Sequence, residues 1–441
     1  MPKQLLTFLL VLVMAGCAAH TEHGRTYVSR SLRDRTGHDL SAGSTSRKFE
    51  LPPNLSLADG LTEDEAVAIA LWNNAQFQAD LAELGLARAD LIEAGLLRNP
   101  TLALLFPVGP KQLEAALNLP MEFLWQRPKR VAVAKLNAQQ VAENLVQHGL
   151  DLARDAQIAY ADLVLAQAQK RMAAENARLR QEIAEIAAAR QRAGDLSELE
   201  ESASRLEALR ALEAALGFAQ EAEISRARFN TLLGIDVQDT SFALMPSPEM
   251  ALSKLTLPEL FDAAFASRPD LRAAALAIEA AGKRLGWERT KILAFTGVLD
   301  ANGAGKDGFE MGPGIQIEIP LFNWNNGKVA HAQAQMEQAA QQYLVVKQRL
   351  ALEVLEAQAN YLTAQQALAV CQAEWTPTAT AAASYAQKAY AAGEVAYLFV
   401  LEINRQLLEA RVREAEATAH LRRAAARLQH SIGFYQAKRE I

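Results

Sequence analysis

The sequence predicts a mainly α-helical chain with a small β part, built from two tandem copies of one unit. Three observations predict this fold class. Motifs recur at offsets of 194 to 199 residues, two very long stretches contain almost no proline or glycine, and two short segments alternate strictly between apolar and polar residues. The recurrence indicates a duplication, the long stretches indicate helices of coiled-coil length, and the alternation indicates strands.

The composition excludes several classes of function. The 441 residues carry 45 Lys+Arg and 51 Asp+Glu, a formal charge of −6, which excludes a strongly basic nucleic-acid binder. Two cysteines cannot form a disulfide framework or a four-thiolate zinc site, and the seven histidines are scattered. The sequence shows no nucleophile–base arrangement, phosphate loop or metal-ligand cluster. We therefore expect no enzyme, no cofactor and no resident metal.

The N-terminus predicts export and lipidation. Residues 1–16 contain an early Lys3 and a mostly apolar run that is too short to span a bilayer, which is typical of a signal peptide. The following Met14-Ala15-Gly16-Cys17 resembles a bacterial lipobox, so we expect cleavage before Cys17 and lipidation of that residue. The alternative is an ordinary secretory peptide with a chance cysteine. Residues 17–57 form a tether, either disordered or lying as an arm along the body.

Two repeats make up the body, at 58–235 and 255–435, separated by a proline-containing linker at 236–254 and followed by a tail at 436–441. Leu61-Thr62 opens the first repeat and Leu255-Thr256 opens the second, each with acidic residues in the next turn. Both openings predict a helix of about 35 residues, at 61–97 and at 256–290.

A very long helix and a shorter return helix are predicted in each repeat. The first long helix covers 129–192, which at 1.5 Å per residue is about 96 Å. Its counterpart covers 328–392, with a bend expected at Pro377. The return helices, 196–233 and 395–432, carry heptad-like apolar positions and predict antiparallel coiled-coil hairpins. Those positions are Leu199, Ala203, Leu206, Leu209, Leu212, Leu216, Leu398, Leu401, Leu408, Val412, Ala415 and Ala419.

Strands are predicted before each long helix. Odd positions are apolar and even positions mostly polar over 112–123 and again over 314–322. Partner strands are expected at 101–108, before Gly109-Pro110, and at 292–301, before a glycine-rich loop at 302–308. The apolar faces and nearby aromatic residues suit a transmembrane barrel with the odd side chains toward lipid. The alternative is a pair of soluble hairpins that cover a core.

Four strands cannot close a barrel, and an open sheet edge cannot lie in hydrocarbon. A membrane barrel therefore requires several copies of the chain, each contributing four strands. The long helices would continue the same wall as a tube.

These features together resemble the TolC family of outer-membrane efflux proteins. The resemblance rests on the duplicated openings, the segment Gly314–Asn323 leading to Gly327-Lys328, and the two helix-hairpin tips, and it covers about residues 58–435. It implies a homotrimer with a twelve-stranded barrel in the outer membrane and an α-helical tube in the periplasm. It also implies two partners, a periplasmic adaptor and an inner-membrane transporter of the resistance-nodulation-division (RND) type. The segment from Leu119 to Arg130 is most similar to ducts of heavy-metal efflux systems, although the exported substrate could equally be a drug.

Two alternatives to a duct exist. A periplasmic adaptor would have one hairpin flanked by soluble β-domains, and a structural coiled-coil lipoprotein would need no strands.

Two sets of residues are candidates for function. The hairpin tips, where each long helix stops, are predicted to dock the adaptor; they comprise Ala193, Gly194, Asp195, Leu196, Ala392, Gly393, Glu394 and Val395. The resemblance further implies a periplasmic gate made of Tyr390 and acidic residues near the tips. Here Glu402 and Glu200 match that pattern, whereas Phe399 stands where the family has an acid.

Overall fold

The computed structural model describes residues 21–41, 49–53, 55–58, 60–106, 113–237, 242–245, 255–292, 294–305 and 308–434. Several predicted features lie outside these residues. They are the signal peptide, Cys17, Gly109-Pro110, most of the inter-repeat linker and the tail at 436–441.

The described part of the chain is mainly helical, with 75% helix and 8% strand, as predicted. The helices in chain order are α1 (Arg25–Thr36), α2 (Glu63–Asn73), α3 (Ala75–Leu81), α4 (Glu83–Gly95), α5 (Phe123–Arg192), α6 (Glu198–Leu233), α7 (Leu257–Ser267), α8 (Pro269–Glu288), α9 (Asn326–Val370), α10 (Thr376–Ala391) and α11 (Tyr397–Ser431). The strands are β1 (Thr101–Leu105), β2 (Glu114–Pro120), β3 (Phe295–Gly305) and β4 (Gly308–Ile317). No described helix is long and apolar enough to cross a membrane.

The first helix of each repeat is broken, which corrects the prediction of one helix of about 35 residues. In repeat one the segment is broken twice, at Asn74 and at Ala82. The Asn74 side-chain oxygen accepts a hydrogen bond from the Phe77 N–H at 2.9 Å and so caps the next helix. In repeat two the break falls at Arg268, directly before Pro269. Proline lacks an N–H and disfavours the α conformation in the residue before it, so the helix ends there.

The long helix of repeat one, α5, has 70 residues and begins six residues earlier than predicted, so that Pro128 lies within it. The long helix of repeat two is interrupted where a bend was expected. A π-helical turn, Cys371–Trp375, separates α9 from α10 immediately before Pro377. A proline cannot donate the usual hydrogen bond to the preceding turn, and the wider π turn accommodates that missing bond.

The helices that end at the two hairpin tips and at the ends of the two repeats all terminate in the same way. Gly194, Gly234, Gly393 and Gly433 have φ between 70° and 84°. At each, two backbone hydrogen bonds return to the last helical turn, such as Asp195 N–H to the Arg190 carbonyl at 2.9 Å. This is the Schellman arrangement, in which glycine supplies the left-handed residue.

The return helices differ from the predicted coiled-coil seams. In α11, Leu401 and Leu408 are buried and pack with Leu179 of α5. In α6 the buried positions nearest the tip are Ala208 and Ala211, while the predicted heptad leucines are exposed. Those exposed leucines are Leu199, Leu206, Leu209, Leu212 and Leu216, each at least 52% exposed. The heptad pattern marks an apolar stripe correctly, but in repeat one the stripe does not face its own hairpin.

The four strands form one antiparallel sheet in the order β1-β2-β3-β4. Strand bounds differ from the prediction. β2 ends at Pro120, since α5 already begins at Phe123, and β4 ends at Ile317. Part of the expected glycine-rich loop is strand, because β3 continues to Gly305 and β4 starts at Gly308.

An N-terminal arm is ordered within the tether. In α1, Val28 and Leu32 are fully buried. Gly149 is the glycine inside α5, and a Cβ placed on it would lie 2.7 Å from the Leu32 side chain. The arm therefore explains why the long helix tolerates a glycine, which is a poor helix former.

The chain forms two compact units. One comprises the described residues of Met1–Val28, Ala79–Gln147 and Pro269–Arg349, and contains the sheet. The other comprises those of Ser29–Gln78, His148–Arg268 and Leu350–Ile441, and contains both tips. Each unit contains segments of both repeats.

Candidate functional site

The sheet has one apolar face that is continuous across all four strands. Leu117 lies opposite Leu102 on one side and Leu299 on the other, and Leu299 lies opposite Pro313. Because side chains alternate along a strand, this register fixes the whole face. Its members are Leu102, Leu104, Ala115, Leu117, Leu119, Phe295, Gly297, Leu299, Ala301, Met311, Pro313, Ile315 and Ile317. The face is open, with Ile315 77% and Met311 63% exposed.

The opposite face carries the polar residues of the sheet. The same register places there Thr101, Glu114, Asn118, Thr296, Asp300, Glu310 and Gln316. The predicted alternation is therefore confirmed within β2 and β4. The predicted positions Met121, Phe123, Ile319 and Leu321 lie beyond the strand ends.

Aromatic and basic side chains anchor the sheet to the helices of its unit. The Trp125 ring packs edge-on against Phe295, with the ring centroids 5.6 Å apart. Arg127 and Arg130 donate to the carbonyls of Gly95 and Ala94, each at 2.7 Å, and so cap the end of α4. In the segment that resembles heavy-metal ducts, these two arginines thus have a structural role, because helix ends leave carbonyls without partners.

The two tips lie in one unit and share the same backbone. Gly194 and Gly393 have φ of 84° and 78°, and a Cβ added to either would meet nothing within 4 Å. The neighbouring Ala193, Asp195, Ala392 and Glu394 are exposed. The tips are therefore small, open turns, which suits a surface that another protein contacts.

The gate candidates lie in three different environments. Glu200 is exposed and accepts from the Ser197 hydroxyl at 2.7 Å and the Ser197 N–H at 3.0 Å, forming a capping box. These hydrogen bonds lower the pKa of the Glu200 carboxyl. The Tyr390 ring packs at a tilt of 47° against Tyr397, with the ring centroids 5.3 Å apart. Phe399 is 50% exposed.

Glu402 is not an isolated carboxylate. Arg405 donates to it at 2.6 Å and 3.1 Å, and this hydrogen bonding lowers the pKa of Glu402 below its usual range. The charge of Arg180 on α5 acts in the same direction. Within one chain, then, Glu402 is ionised and paired, and it does not contact Tyr390 or Glu200 in any described interaction.

A buried ionic cluster was missed by the sequence analysis. Arg268 is 4% exposed and donates to Glu353 at 3.1 Å and 3.3 Å, and His430 is 3% exposed. Nothing in the local sequence marks these residues, because they meet only when the break after α7 and the end of α11 come together. Among the described residues, no three metal-ligating side chains come close enough together to hold a metal ion.

Comparison with known proteins gives consistent results. Residues 260–434 match the family described as outer membrane efflux protein. The cobalt-zinc-cadmium resistance protein CzcC of Cupriavidus metallidurans is 25% identical over 385 residues, which cover 85% of this chain and 91% of that protein.

Solved structures share the fold. The outer-membrane channel OprN aligns with a TM-score of 0.68 at 20% identity, covering 89% of this chain and 95% of that one. The outer membrane protein VceC of Vibrio cholerae aligns with a TM-score of 0.68 at 18% identity, and the alignment covers 84% of this chain and 96% of VceC. The predicted resemblance to outer-membrane efflux proteins is therefore confirmed, in sequence over residues 260–434 and in fold over most of the chain.

Proposed function

We propose that this chain is the outer-membrane exit duct of a tripartite efflux pump and conducts its substrate passively. The observation that carries the proposal is the four-stranded sheet with one continuous, open apolar face. A soluble protein would cover such a face, whereas lipid hydrocarbon satisfies it without further protein. An adaptor or a structural lipoprotein would not need this sheet.

The sheet also argues for several copies of the chain. Its order leaves β1 and β4 as edges, and unpaired edge groups cannot lie in a bilayer. Pairing β4 of one copy with β1 of the next removes both edges. Three copies then give a closed barrel of twelve strands, which agrees with the trimer that the resemblance implies. The lumen would be lined by the polar face, including Glu114 and Asp300.

The helical part supports the same assembly. The outward leucines of α6 form one exposed stripe, and Leu352, Leu355 and Leu362 of α9 form another, each 46% to 54% exposed. A cyclic trimer needs two different surfaces per chain that fit each other. We propose that the α6 stripe of one copy packs against the α9 stripe of its neighbour.

Location and partners follow from the proposal. The duct would lie in the outer membrane, anchored by lipid on Cys17, with its helices extending into the periplasm. A periplasmic adaptor would dock on the tips around Gly194 and Gly393, and an RND-type transporter would supply the energy. The similarity to CzcC favours divalent heavy-metal cations as the substrate.

For the gate, we propose that Tyr390 and Glu402 of one hairpin meet Glu200 of an adjoining copy. Three-fold symmetry would make each inward carboxylate a ring of three, which attracts cations. Since Arg405 pairs with Glu402 in the single chain, an acidic ring requires that this pair open in the assembly. The apolar Phe399 would narrow the same entrance.

Membrane extraction of the Cys17→Ala variant tests the proposal. Without its lipid anchor, an exit duct still requires detergent for extraction and migrates as a trimer, because the sheet itself holds it in the bilayer. Release of this variant as a soluble monomer would contradict the proposal. The wild-type chain is the control for the effect of the anchor.

Two further experiments test the sites. Replacing Gly194 and Gly393 with bulky residues should abolish export and crosslinking to the adaptor while trimers remain.

In planar bilayers, Glu402→Gln should relieve block by polyvalent cations and Tyr390→Phe should raise conductance. If the gate lies elsewhere in the chain, both variants should conduct and be blocked like the wild type.

A further inference from the structure

Each repeat carries the same three residues where the sheet ends and the long helix begins. These residues, named here the edge motif, are Phe123, Trp125 and Lys129 in repeat one, and Phe322, Trp324 and Lys328 in repeat two, 199 residues later. The four positions between them all differ between the repeats. The offset equals that of the hairpin tips, so the motif belongs to the duplication. Its three side chains are therefore candidates for a role that both repeats share at the edge of the sheet.

The aromatic rings of the motif lie at the border of the apolar face. Trp125 packs edge-on against Phe295, which belongs to that face, with the ring centroids 5.6 Å apart. In repeat two, Trp324 is 56% exposed and Phe322 is 99% exposed, so the single chain leaves both rings uncovered. Aromatic rings with these surroundings concentrate where the hydrocarbon of a bilayer meets the headgroups.

The two lysines of the motif differ from other basic residues at this edge. Arg98 pairs with Glu122 at 2.8 Å, and Lys291 pairs with Glu288 at 2.6 Å. In the part of the chain that the structure describes, no carboxylate forms a salt bridge with either motif lysine. Their charges are therefore available to a partner outside the chain.

The edge as a whole is basic, although the chain is acidic. The four segments that meet there are 93–98, 122–130, 288–291 and 318–328, and together they contain seven Lys+Arg and four Asp+Glu. The whole chain contains 45 and 51. An exposed edge of this charge fits an anionic partner.

We propose that the edge motif binds anionic phospholipids of the periplasmic leaflet, with its rings at the acyl boundary and its lysine on the headgroup phosphate. This inference rests on the proposed duct, because only a sheet in the bilayer brings lipid to this edge. In α5, Lys129 lies four residues beyond Trp125, on the same side of the helix and about 6 Å further from the sheet. That spacing carries the ammonium group from the acyl boundary into the headgroup layer.

Tryptophan fluorescence of the full-length protein in vesicles tests the motif, because bromine on an acyl chain quenches indoles beside lipid. Vesicles contain phosphatidylcholine and phosphatidylglycerol, with one of the two brominated at a time. The wild type should favour phosphatidylglycerol up to about fivefold, and salt should weaken this preference. Lys129→Gln with Lys328→Gln should abolish the preference and leave the quenching itself. Lys347→Gln with Lys388→Gln is the matched control, which removes two exposed lysines further along α9 and α10 and should keep the preference.

A second variant, Trp125→Phe with Trp324→Phe, identifies the indoles that contact lipid and should lose most of the quenching. Unchanged quenching in this variant would mean that a neighbouring copy covers the motif, which overturns the proposal. A wild type without preference, or a preference that survives in the double lysine variant, also overturns it. Absence of quenching by either lipid would contradict the duct itself, since the sheet would then lie outside the bilayer.

Discussion

In each repeat, the break in the first helical segment contacts the end of the last helix. The two contacts lie at equivalent positions but involve different side-chain chemistry. In repeat one, the Asn74 amide donates to the Leu232 carbonyl at 2.9 Å, joining the α2–α3 break to the end of α6. In repeat two, 194 residues later, Arg268 donates to the His430 carbonyl and pairs with Glu353. The same backbone junction is therefore neutral in one copy and ionic in the other. The two junctions therefore share their position in the fold but not the side chains that hold them.

The two tips likewise share a backbone conformation but differ in their side chains. Ser197 and Glu200 form a capping box at the start of α6, whereas the corresponding Ala396 and Phe399 in α11 make no side-chain cap. Both helices nevertheless begin with extended backbone at this position. The departure of Phe399 from the family's acid therefore coincides with the loss of a local cap.

Removing the buried cation should give the largest effect. Arg268→Met leaves the partly buried Glu353 without its guanidinium and removes one of the donors to the His430 carbonyl, so we expect a loss of about 3 kcal/mol or more in the free energy of unfolding. Asn74→Ala should cost about 1–2 kcal/mol, since it removes one cap and one hydrogen bond. Denaturant unfolding in detergent measures both. Equal losses would show that the charge adds nothing to the junction.

Charged substitutions in the sheet test whether the repeats share one membrane face. Leu117→Arg in β2 and Ile317→Arg in β4 should each cost about 2–4 kcal/mol near the bilayer midplane. The neighbouring Asn118→Arg and Gln316→Arg are matched controls on the polar face and should cost little. Trimer yield in membranes reports the outcome. Equal yields from the two faces would rule out a barrel.

The glycines that end the repeats should differ from each other. A Cβ at Gly234 would lie 2.5 Å from the Asn73 carbonyl oxygen, whereas one at Gly433 would lie 2.8 Å from the Ser267 hydroxyl. Both residues have positive φ, so Gly234→Ala should cost about 2–3 kcal/mol and Gly433→Ala about 1–2 kcal/mol. Gly217→Ala, in open space within α6, is the control and should be neutral or slightly stabilising. If Gly433→Ala cost more than Gly234→Ala, the Ser267 side chain would be a more rigid neighbour than the Asn73 backbone.

The smallest effect should come from the tip caps. Ser197→Ala removes the capping box and should make amide hydrogen exchange at the start of α6 about fivefold faster. The double change Ala396→Ser and Phe399→Glu builds the same box in repeat two and should slow exchange there by a similar factor. Peptide-level exchange measured by mass spectrometry compares the tips directly. No change in either tip would mean that assembly contacts, and not the caps, hold these turns.

The features of the fold that follow from a regular sequence pattern could be predicted from the sequence. The repeat, the two tip glycines and the alternation in β2 each rest on patterns that backbone geometry imposes directly. The break at Asn74 was missed because it sits inside otherwise helical periodicity, whereas the break at Arg268 is marked by Pro269 and could have been predicted. The strand character of 308–313 was missed since glycine and proline usually indicate turns.

Partnerships between distant segments could not be predicted. A heptad pattern shows that leucines share a stripe but does not identify the surface that covers it, so the α6 stripe was assigned to its own hairpin. The His430 cluster joins residues from three parts of the chain, and no local signal marks such a meeting. The contact of Leu32 with Gly149 is of the same kind.

The closing contacts of each repeat also have a consequence for biogenesis. Asn74 and Leu232 are 158 residues apart, and Arg268 and His430 are 162 apart, so neither repeat can close until its last helix has been exported. Contacts of such long sequence separation form slowly. The apolar sheet face and the leucine stripes are exposed even in the closed chain, so they stay prone to aggregation until the chain reaches the bilayer and its neighbouring copies. We therefore expect the nascent chain to depend on a periplasmic holdase chaperone.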